Sequence, residues 1–348
     1  MSLGPLMIDV AGLSLTAEEA ERLRDPRIGG VILFSRNFAD ADQLRQLVAD
    51  VHGVRSPQLL VAVDQEGGRI QRFREGFTAL PPARLIGHEF DIDADRGREL
   101  ARASGWLMAA ELLDFGIDIS FAPVVDLDLG LSDVIGDRAF HRDAEAVGAL
   151  ASAYMLGMRQ AGMMAVAKHY PGHGAVIADS HHELPVDHRD LDAMRDDLLP
   201  YRRLIDNGLH GVMIAHVKYP AIDRRIASLS PYWLQTELRR NLGFTGAIFS
   251  DDLSMAAADV AGDMPERVRQ ALTAGADMAL ICNDPDAVAR TLEECEELGG
   301  PASLARLAAM RPEHIEDGPP RLRETPEWRA VVAQIEKASA RPPLVLDG

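Results

Sequence analysis

One stretch of this sequence, residues 168–181, concentrates side chains that can move protons. Within fourteen residues it holds a lysine, three histidines and an aspartate, and Pro171–Gly174 predicts an irregular loop. Histidine titrates near neutral pH, so His181 can both donate and accept a proton. Asp179, two residues earlier, could accept a hydrogen bond from one ring nitrogen and raise the basicity of the other. The spacing therefore predicts an Asp179–His181 pair for acid–base chemistry.

Other polar residues directly follow short apolar runs elsewhere in the chain. They are Asp64 and Arg72 after residues 59–63, Asp126, Asp128 and Arg138 after 117–121, Lys168 and His169 after 163–167, His216 and Lys218 after 211–215, and Asp251 and Asp252 after 247–249. In a parallel α/β barrel the loops after the strands meet on one rim, where catalytic groups lie. The pattern therefore predicts that these distant segments converge on a single site.

Several of these residues also have a purely structural interpretation. Asp64 could cap a turn, Asp126 could brace a loop, and Asp252 could cap a helix or support a neighbouring group. His169, taken alone, could be a structural histidine. Lys168 differs from them, because a charge at the end of an apolar strand must be paired or solvated.

Positioning these groups requires short strands that alternate with helices. Eight apolar runs lie near residues 7–10, 30–34, 59–63, 117–121, 163–167, 211–215, 247–249 and 278–281. Amphipathic segments predict helices at residues 41–51, 96–113, 144–161, 191–207, 231–240, 265–274 and 286–298. Short apolar strands without alternation are typical of a buried parallel sheet. The pattern predicts an α/β fold with a single (β/α)8 TIM-type barrel, in which some strands are irregular.

A doubly wound open sheet is the rival architecture. That fold usually carries a glycine-rich phosphate loop after its first strand, and residues 11–16 lack this fingerprint. Beyond residue 299 the strand–helix pattern weakens into a proline-containing stretch at 311–325 and a last helix near 327–338. We therefore expect a catalytic barrel over residues 1–300 and a C-terminal extension over residues 301–348 that packs on it.

Composition and charge disfavour several classes of protein. The 348 residues suffice for one large domain, and the apolar content of 47% predicts a substantial core. A net charge of −18 argues against nucleic acid or an anionic membrane as a partner. The two cysteines, Cys282 and Cys295, cannot form a disulfide framework or a cysteine-rich metal site. Neither a signal peptide nor a membrane-spanning run is visible, so a cytoplasmic location is expected.

Three segments, taken in order, resemble the motifs of glycoside hydrolase family 3, and specifically its bacterial single-domain β-N-acetylglucosaminidase branch. They are residues 64–73 (Asp-Gln-Glu-Gly-Gly-Arg-Ile-Gln-Arg-Phe), residues 168–174 (Lys-His-Tyr-Pro-Gly-His-Gly) with Asp179-Ser-His181, and residues 249–255 (Phe-Ser-Asp-Asp-Leu-Ser-Met). The resemblance runs from about residue 7 to residue 282 and implies a barrel without the second domain of larger family members.

The resemblance also implies a role for each matching residue. His181 would be the acid/base and Asp179 its partner, an unusual arrangement for a glycosidase. Asp251, rather than Asp252, would be the nucleophile. The hydroxyl and N-acetyl groups of the terminal sugar would be bound by Asp64, Arg72, Arg138, Lys168 and His169. No metal and no cofactor is implied.

These roles correspond to a retaining double displacement. Asp251 would attack the anomeric carbon while His181 protonates the leaving oxygen, and water would then release the sugar from the glycosyl-enzyme ester. In a substrate-assisted route the N-acetyl group itself attacks, and that route usually needs a carboxylate pair to polarise it. No adjacent Asp-Glu pair takes that part here, so a covalent enzyme intermediate is favoured.

Three other functions stay open. A zinc hydrolase could use the histidines at 169, 173, 181 and 182, although the H-E-x-x-H motif is absent and Lys168 would repel the cation. A non-catalytic sugar-binding barrel could use the same polar residues. Phosphate could also replace water as the acceptor, because a neutral histidine repels an anion less than a carboxylate does.

The resemblance finally implies a substrate and a biological role. The expected partner is a small sugar, N-acetylglucosamine linked to anhydro-muramic acid with or without peptide. Such a molecule would be imported during recycling of cell-wall peptidoglycan. We expect a monomer that binds neither nucleic acid nor membrane and needs no cofactor.

Overall fold

A computed structural model of the chain describes residues 3–178, 180, 183–295, 298–312 and 322–340. Within these ranges the strands are β1 Leu6–Asp9, β2 Ile28–Leu33, β3 Leu60–Val63, β4 Gln65–Gly67, β5 Ile70–Gln71, β6 Ile119–Ser120, β7 Val166–Tyr170, β8 Gly211–Ile214, β9 Ala247–Asp252 and β10 Met278–Ile281. The α-helices are α1 Ala17–Leu23, α2 Ala41–Gly53, α3 Ala83–Ile92, α4 Ala94–Asp114, α5 Ala144–Gln160, α6 Arg195–Asp206, α7 Met264–Ala274, α8 Pro285–Glu294, α9 Pro301–Ala308 and α10 Pro326–Ser339. A π-helix covers Tyr232–Asn241.

Eight of the strands form one sheet in the order β6-β3-β2-β1-β10-β9-β8-β7. All pairings in this sheet are parallel, and β1 lies beside β10, as the closure of a barrel requires. Residues 122–125 bridge the gap between β6 and β7. There the Val166 amide donates to the Ala122 carbonyl at 2.9 Å, and the Val125 amide donates to the Lys168 carbonyl at 2.8 Å. The (β/α)8 barrel predicted from the sequence is confirmed, including its irregular strands.

The strands fill two separate layers of the core. On β3, Leu60 and Ala62 belong to the cluster inside the barrel, whereas Val61 and Val63 pack with the surrounding helices. This alternation follows from the period of two along a strand, so even a fully apolar strand feeds both layers. The helix α9, which was not predicted, covers the amino-terminal end of the barrel, where Leu307 joins the interior cluster.

The short helix α1 was also missed, because it lacks an apolar face. Leu23 is its buried residue, and four of its seven residues are charged. A capping box stabilises it instead: Thr16 accepts from the Glu19 amide, while the Glu19 carboxylate accepts from the Thr16 amide. The sequence signal was therefore the Thr-x-x-Glu pattern rather than hydrophobic periodicity.

The C-terminal helix α10 lies at the position predicted from the sequence and packs against α4. The indole nitrogen of Trp328 donates to Glu111 Oε1 at 3.0 Å, which ties the helix to the barrel. The division of the chain at residue 300 stays a prediction. In the part of the chain described here, no helix is long and apolar enough to cross a membrane.

Candidate active site

A cavity of about 310 Å³ lies at the carboxyl ends of the barrel strands. Its lining includes all five predicted sugar-binding residues and the predicted nucleophile, namely Asp64, Arg72, Arg138, Lys168, His169 and Asp251. Asp179 and His181 lie outside the described residues, but Ser180, which separates them in the sequence, lines the same cavity. The segments that hold these residues therefore converge as the sequence predicts, whereas the cavity lining does not include Asp126, Asp128, His216 or Lys218. A larger surface cavity of about 560 Å³ between residues 76–79 and α10 contains none of the predicted site residues in its lining.

Lys168 is buried in the barrel wall but is fully paired. Its side chain is 2% exposed, and its Nζ atom lies 2.7 Å from Asp64 Oδ1 and 2.6 Å from Glu66 Oε1. Burial alone would favour the neutral amine, but the two carboxylates outweigh it and raise the pKa of Lys168 above its ordinary value. The lysine therefore presents a fixed positive charge to the cavity.

Arg138 reaches the same cavity from a short turn after β6. Its Nε and Nη2 atoms donate to the two oxygens of Glu66, each at 2.8 Å, in a bidentate pair. Its Nη1 atom donates to the Val134 carbonyl at 3.1 Å. Burial opposes ionisation of Glu66, but Arg138 and Lys168 hold the pKa of that carboxyl far below its usual range. The Glu66 carboxylate and the Val134 carbonyl thus hold the Arg138 guanidinium from two sides.

Glu66 itself was not singled out in the sequence, although it belongs to the motif at residues 64–73. In an extended chain, residues two apart lie on the same face, so Glu66 follows Asp64 toward the cavity. The spacing of two residues from Asp64 was the sequence signal that could have identified Glu66 as a residue of the cavity.

Asp126 fixes the ring of His169 and the loop that follows β7. Asp126 is 1% exposed. Its carboxylate accepts from His169 Nδ1 at 2.7 Å and from the His173 amide at 2.7 Å. A carboxylate can only accept, so the Nδ1 atom of His169 carries a proton, and in the neutral ring Nε2 is left as an acceptor. Asp126 braces the loop, as one interpretation of the sequence predicted.

The strand β9 ends in two aspartates with different surroundings. The Asp252 carboxyl accepts from the Cys282 and Ser254 amides, each at 3.0 Å, and from the Ser254 hydroxyl at 2.6 Å. Burial raises the pKa of Asp252. Both aspartates line the cavity, and the Oδ1 atom of Asp251 accepts from the Asp252 amide at 2.9 Å. The neighbours of Asp252 agree with a supporting role for this carboxyl.

Asp64 and Arg72 form a looser pair on the cavity wall. The Nη2 atom of Arg72 lies 3.8 Å from Asp64 Oδ2, which is an ion pair but too long for a hydrogen bond. The Arg72 side chain is 31% exposed. A carboxylate oxygen and a guanidinium edge are thus both placed to exchange hydrogen bonds with a ligand.

The cavity combines these polar groups with apolar walls from Ile32, Phe34, Phe121, Met213 and Leu280. A concave site with a few converging donors and acceptors on an apolar lining is typical of small-molecule sites. A sugar ring matches it, since the ring has apolar C–H faces and a rim of hydroxyl groups. Among the residues that the structure describes, no group of three or more His, Cys, Asp or Glu side chains is arranged to hold a metal ion.

Comparison with known proteins identifies a matching family and full-length relatives. The family model described as the glycosyl hydrolase family 3 N-terminal domain matches residues 6–307. The β-hexosaminidase of Thioalkalivibrio sulfidiphilus is 53% identical over 349 residues, which covers 100% of this chain and 100% of that protein. The β-hexosaminidase of Thiobacillus denitrificans is 54% identical over 311 residues, or 89% of this chain and 87% of that protein.

Solved structures show the same similarity. NagZ from Neisseria gonorrhoeae, in complex with N-trifluoroacetyl-D-glucosamine, superposes with a TM-score of 0.93 at 42% identity, over 98% of this chain and 99% of that one. A family 3 β-N-acetylglucosaminidase from a Paenibacillus species superposes with a TM-score of 0.85 at 29% identity, over 96% of this chain and 67% of that one.

Proposed function

The chain belongs to glycosyl hydrolase family 3 and is a β-N-acetylhexosaminidase, and from this premise we propose that it releases terminal β-linked N-acetylglucosamine from peptidoglycan fragments with retention of configuration. The observation that carries the proposal is the shared cavity. Asp251 lines the same 310 Å³ space as the paired cations and carboxylates predicted to hold the sugar. Binding alone would require no carboxylate nucleophile there.

The sugar-binding residues supply complementary donors and acceptors. Lys168 and Arg138 donate to hydroxyl or carbonyl oxygens of the sugar, and Asp64 accepts from its hydroxyl groups. Arg72, which forms an ion pair with Asp64, donates to oxygens of the sugar. His169 offers its Nε2 atom as an acceptor. Lys168, Arg138 and His169 are already held by buried carboxylates, so binding needs little reordering of these side chains.

The reaction then proceeds in two steps. In the first, an Asp251 oxygen forms a bond to the anomeric carbon, the bond from that carbon to the leaving oxygen breaks, and His181 gives its proton to that oxygen. In the second, His181 takes a proton from water, whose oxygen bonds to the anomeric carbon and displaces the Asp251 carboxylate. Asp179 orients the His181 ring. Ser180, which separates Asp179 from His181 in the sequence, lines the cavity, and this supports the proposed role of the segment.

The natural substrate is proposed to be N-acetylglucosamine linked to anhydro-muramic acid, with or without peptide. Two lines support it: the motifs shared with the peptidoglycan-processing branch of the family, and the likeness to NagZ from Neisseria gonorrhoeae, whose structure contains an N-acylated glucosamine. On this proposal the protein works as a cytoplasmic monomer without a cofactor during recycling of the cell wall.

The test is hydrolysis of an aryl β-N-acetylglucosaminide followed by proton NMR. We expect the β-anomer of N-acetylglucosamine to form first and to mutarotate afterwards. Parallel reactions with N-acetylglucosaminyl-anhydro-muramic acid and with chitobiose measure the aglycone preference, which should favour the former. Initial release of the α-anomer would refute retention. Equal rates on both disaccharides would refute the peptidoglycan assignment but not the glycosidase activity.

A further inference from the structure

Glu66 lies at a rigid point of the cavity wall. It belongs to the β4–β5 hairpin directly after β3, and the Gln65 side chain fastens this hairpin to residue 73. The Nε2 atom of Gln65 donates to the Phe73 carbonyl at 3.0 Å, and the Phe73 amide donates to Gln65 Oε1 at 3.1 Å. The side chain of Glu66 is 7% exposed and lines the cavity. Its carboxylate is therefore buried, and the hairpin that carries it is fixed in place.

Both oxygens of this carboxylate are occupied by two cations from different parts of the chain. Oε1 accepts from Arg138 Nη2 at 2.8 Å and contacts Lys168 Nζ at 2.6 Å, while Oε2 accepts from Arg138 Nε at 2.8 Å. Three charge-assisted contacts leave little capacity for a sugar hydroxyl. Asp64 differs, because its Oδ1 binds Lys168 whereas its Oδ2 lies 3.8 Å from Arg72.

We propose that Glu66 is a positioning residue for hydrolysis: it fixes the guanidinium of Arg138 and the ammonium of Lys168 at the cavity wall and does not itself bind the sugar. A bidentate pair sets the plane of the guanidinium, which a single contact would leave free to rotate. The shared oxygen also sets the separation of the two cations. The proposal rests on the proposed function, since it assumes that the wild type hydrolyses a β-N-acetylglucosaminide.

The charge balance of the site leads to the same conclusion. Among the charged groups around Lys168, Asp64, Glu66 and Arg138 have the largest effect on its pKa. Without the Glu66 charge, the main carboxylate left to offset burial and the repulsion from Arg138 is Asp64. Lys168 should then lose its proton at a lower pH than in the wild type. A residue needed for the fold alone would have no such effect on the pH profile of the folded enzyme.

The experiment compares Glu66→Gln with the wild type and with Glu89→Gln. Glu89 is a matched control, because it is also buried and paired with an arginine, Arg96, but does not line the cavity. For each protein, kcat and KM are measured on an aryl β-N-acetylglucosaminide across the neutral and alkaline range, and folding is checked by thermal unfolding. For folded Glu66→Gln we expect kcat/KM to fall about 10- to 100-fold, the effect of losing a hydrogen-bond partner of a charged group. Its activity should also decline at a lower alkaline pH, whereas Glu89→Gln should follow the wild type.

A second variant separates charge from geometry. Glu66→Asp keeps the charge but is one methylene shorter and cannot span both cations, so it should restore the alkaline profile while kcat/KM stays low. A folded Glu66→Gln variant with wild-type kcat/KM and pH profile would overturn the proposal. Failure of both variants to fold would also overturn it, since Glu66 would then serve the fold. An inactive wild type would instead refute the proposed function.

Discussion

The Nε2 atom of His216 lies 2.9 Å from the backbone carbonyl oxygen of Asp252, the residue that follows the proposed nucleophile. A carbonyl can only accept, so Nε2 carries a proton. The Nδ1 atom lies 2.7 Å from the Ser228 hydroxyl, which donates to it in the neutral ring. The ring is fully buried. His216 therefore ties the end of β9, and with it the peptide that carries Asp251, to the segment after β8.

Replacement of His216 by alanine should slow turnover more than it weakens binding. Without His216, the Asp252 carbonyl keeps its hydrogen bond from the Met255 amide at 3.1 Å but loses its tie to the segment after β8. The end of β9 could then shift, and we expect kcat to fall about 10-fold or more at nearly constant KM, since small displacements of a nucleophile cost rate. Steady-state kinetics on an aryl β-N-acetylglucosaminide measures this. His52→Ala is the control, because His52 pairs with Asp118 away from the cavity. A rise in KM with unchanged kcat would contradict the positioning role.

Replacement of Asp251 by alanine should abolish hydrolysis, with a loss of about a thousandfold or more, because the covalent step then has no nucleophile. Asp252→Asn should lose much less, since the Asp252 carboxyl, although it lines the cavity, already accepts hydrogen bonds from Ser254 and Cys282. A fluorinated sugar that accumulates the glycosyl-enzyme should add its mass to the peptide that contains Asp251. A label on any other residue would overturn the nucleophile assignment.

His181→Ala should distinguish substrates by their leaving groups. A natural sugar leaving group needs a proton, whereas an activated aryl leaving group departs as a stabilised anion. We expect the variant to lose activity on disaccharides far more than on an aryl glycoside with an acidic phenol. Asp179→Asn should show the same pattern to a smaller degree. Equal losses on both classes of substrate would refute the acid role of His181.

The sequence could indicate which residues of this site need a partner, but not which residue the partner is. Lys168 stood out because a charge at the end of an apolar strand needs a partner, and the structure provides Asp64 and Glu66. Glu66 carries only the signal of its spacing of two from Asp64, and that spacing does not identify Arg138 as its partner, because the pairing forms only when the barrel closes. Convergence on a rim follows from strand order, but individual ion pairs do not.

For the fold, likewise, the sequence predicted which segments are buried but not how each of them pairs. Strands such as β3 were predictable because every residue in them is buried. The eight apolar runs together predicted the eight-stranded barrel. The shortness of β6, which covers only Ile119–Ser120, could not be predicted. Residues 122–125 have the apolar character of a strand but pair irregularly with β7. Hydrophobic patterns report burial, and burial does not distinguish a regular strand from an irregular bridge.

Exhaustive chelation should leave the activity unchanged. The proposed mechanism uses a carboxylate, an imidazole and water, so it needs no Lewis acid. The measurement compares the rate of aryl glycoside hydrolysis before and after dialysis against a chelator. A third sample receives zinc after the dialysis. Loss of activity on chelation and recovery on addition of zinc would favour the zinc hydrolase.

Replacement of Asp126 by asparagine should reduce stability in a pH-dependent manner. Burial opposes ionisation of this carboxyl, but His169 and the His173 amide outweigh it and lower the pKa of Asp126 below its ordinary value of 3.8. A carboxyl whose pKa is lower in the folded state stabilises the fold above the unfolded-state pKa, and this contribution is lost as pH falls through the folded-state value.

Near about pH 7 the free energy of unfolding of the Asp126→Asn variant should therefore be lower than that of the wild type by about 1–3 kcal/mol, and the variant should unfold at a lower temperature. The difference should begin to shrink near about pH 4, where the carboxyl of the unfolded wild type takes up a proton, and should vanish as the pH falls through the lower folded-state pKa of Asp126. Thermal unfolding from neutral to acidic pH measures it, with the exposed Asp95→Asn as control. A difference that stays constant across this range would mean that Asp126 acts through packing and hydrogen bonds common to both side chains, and not through its charge on His169.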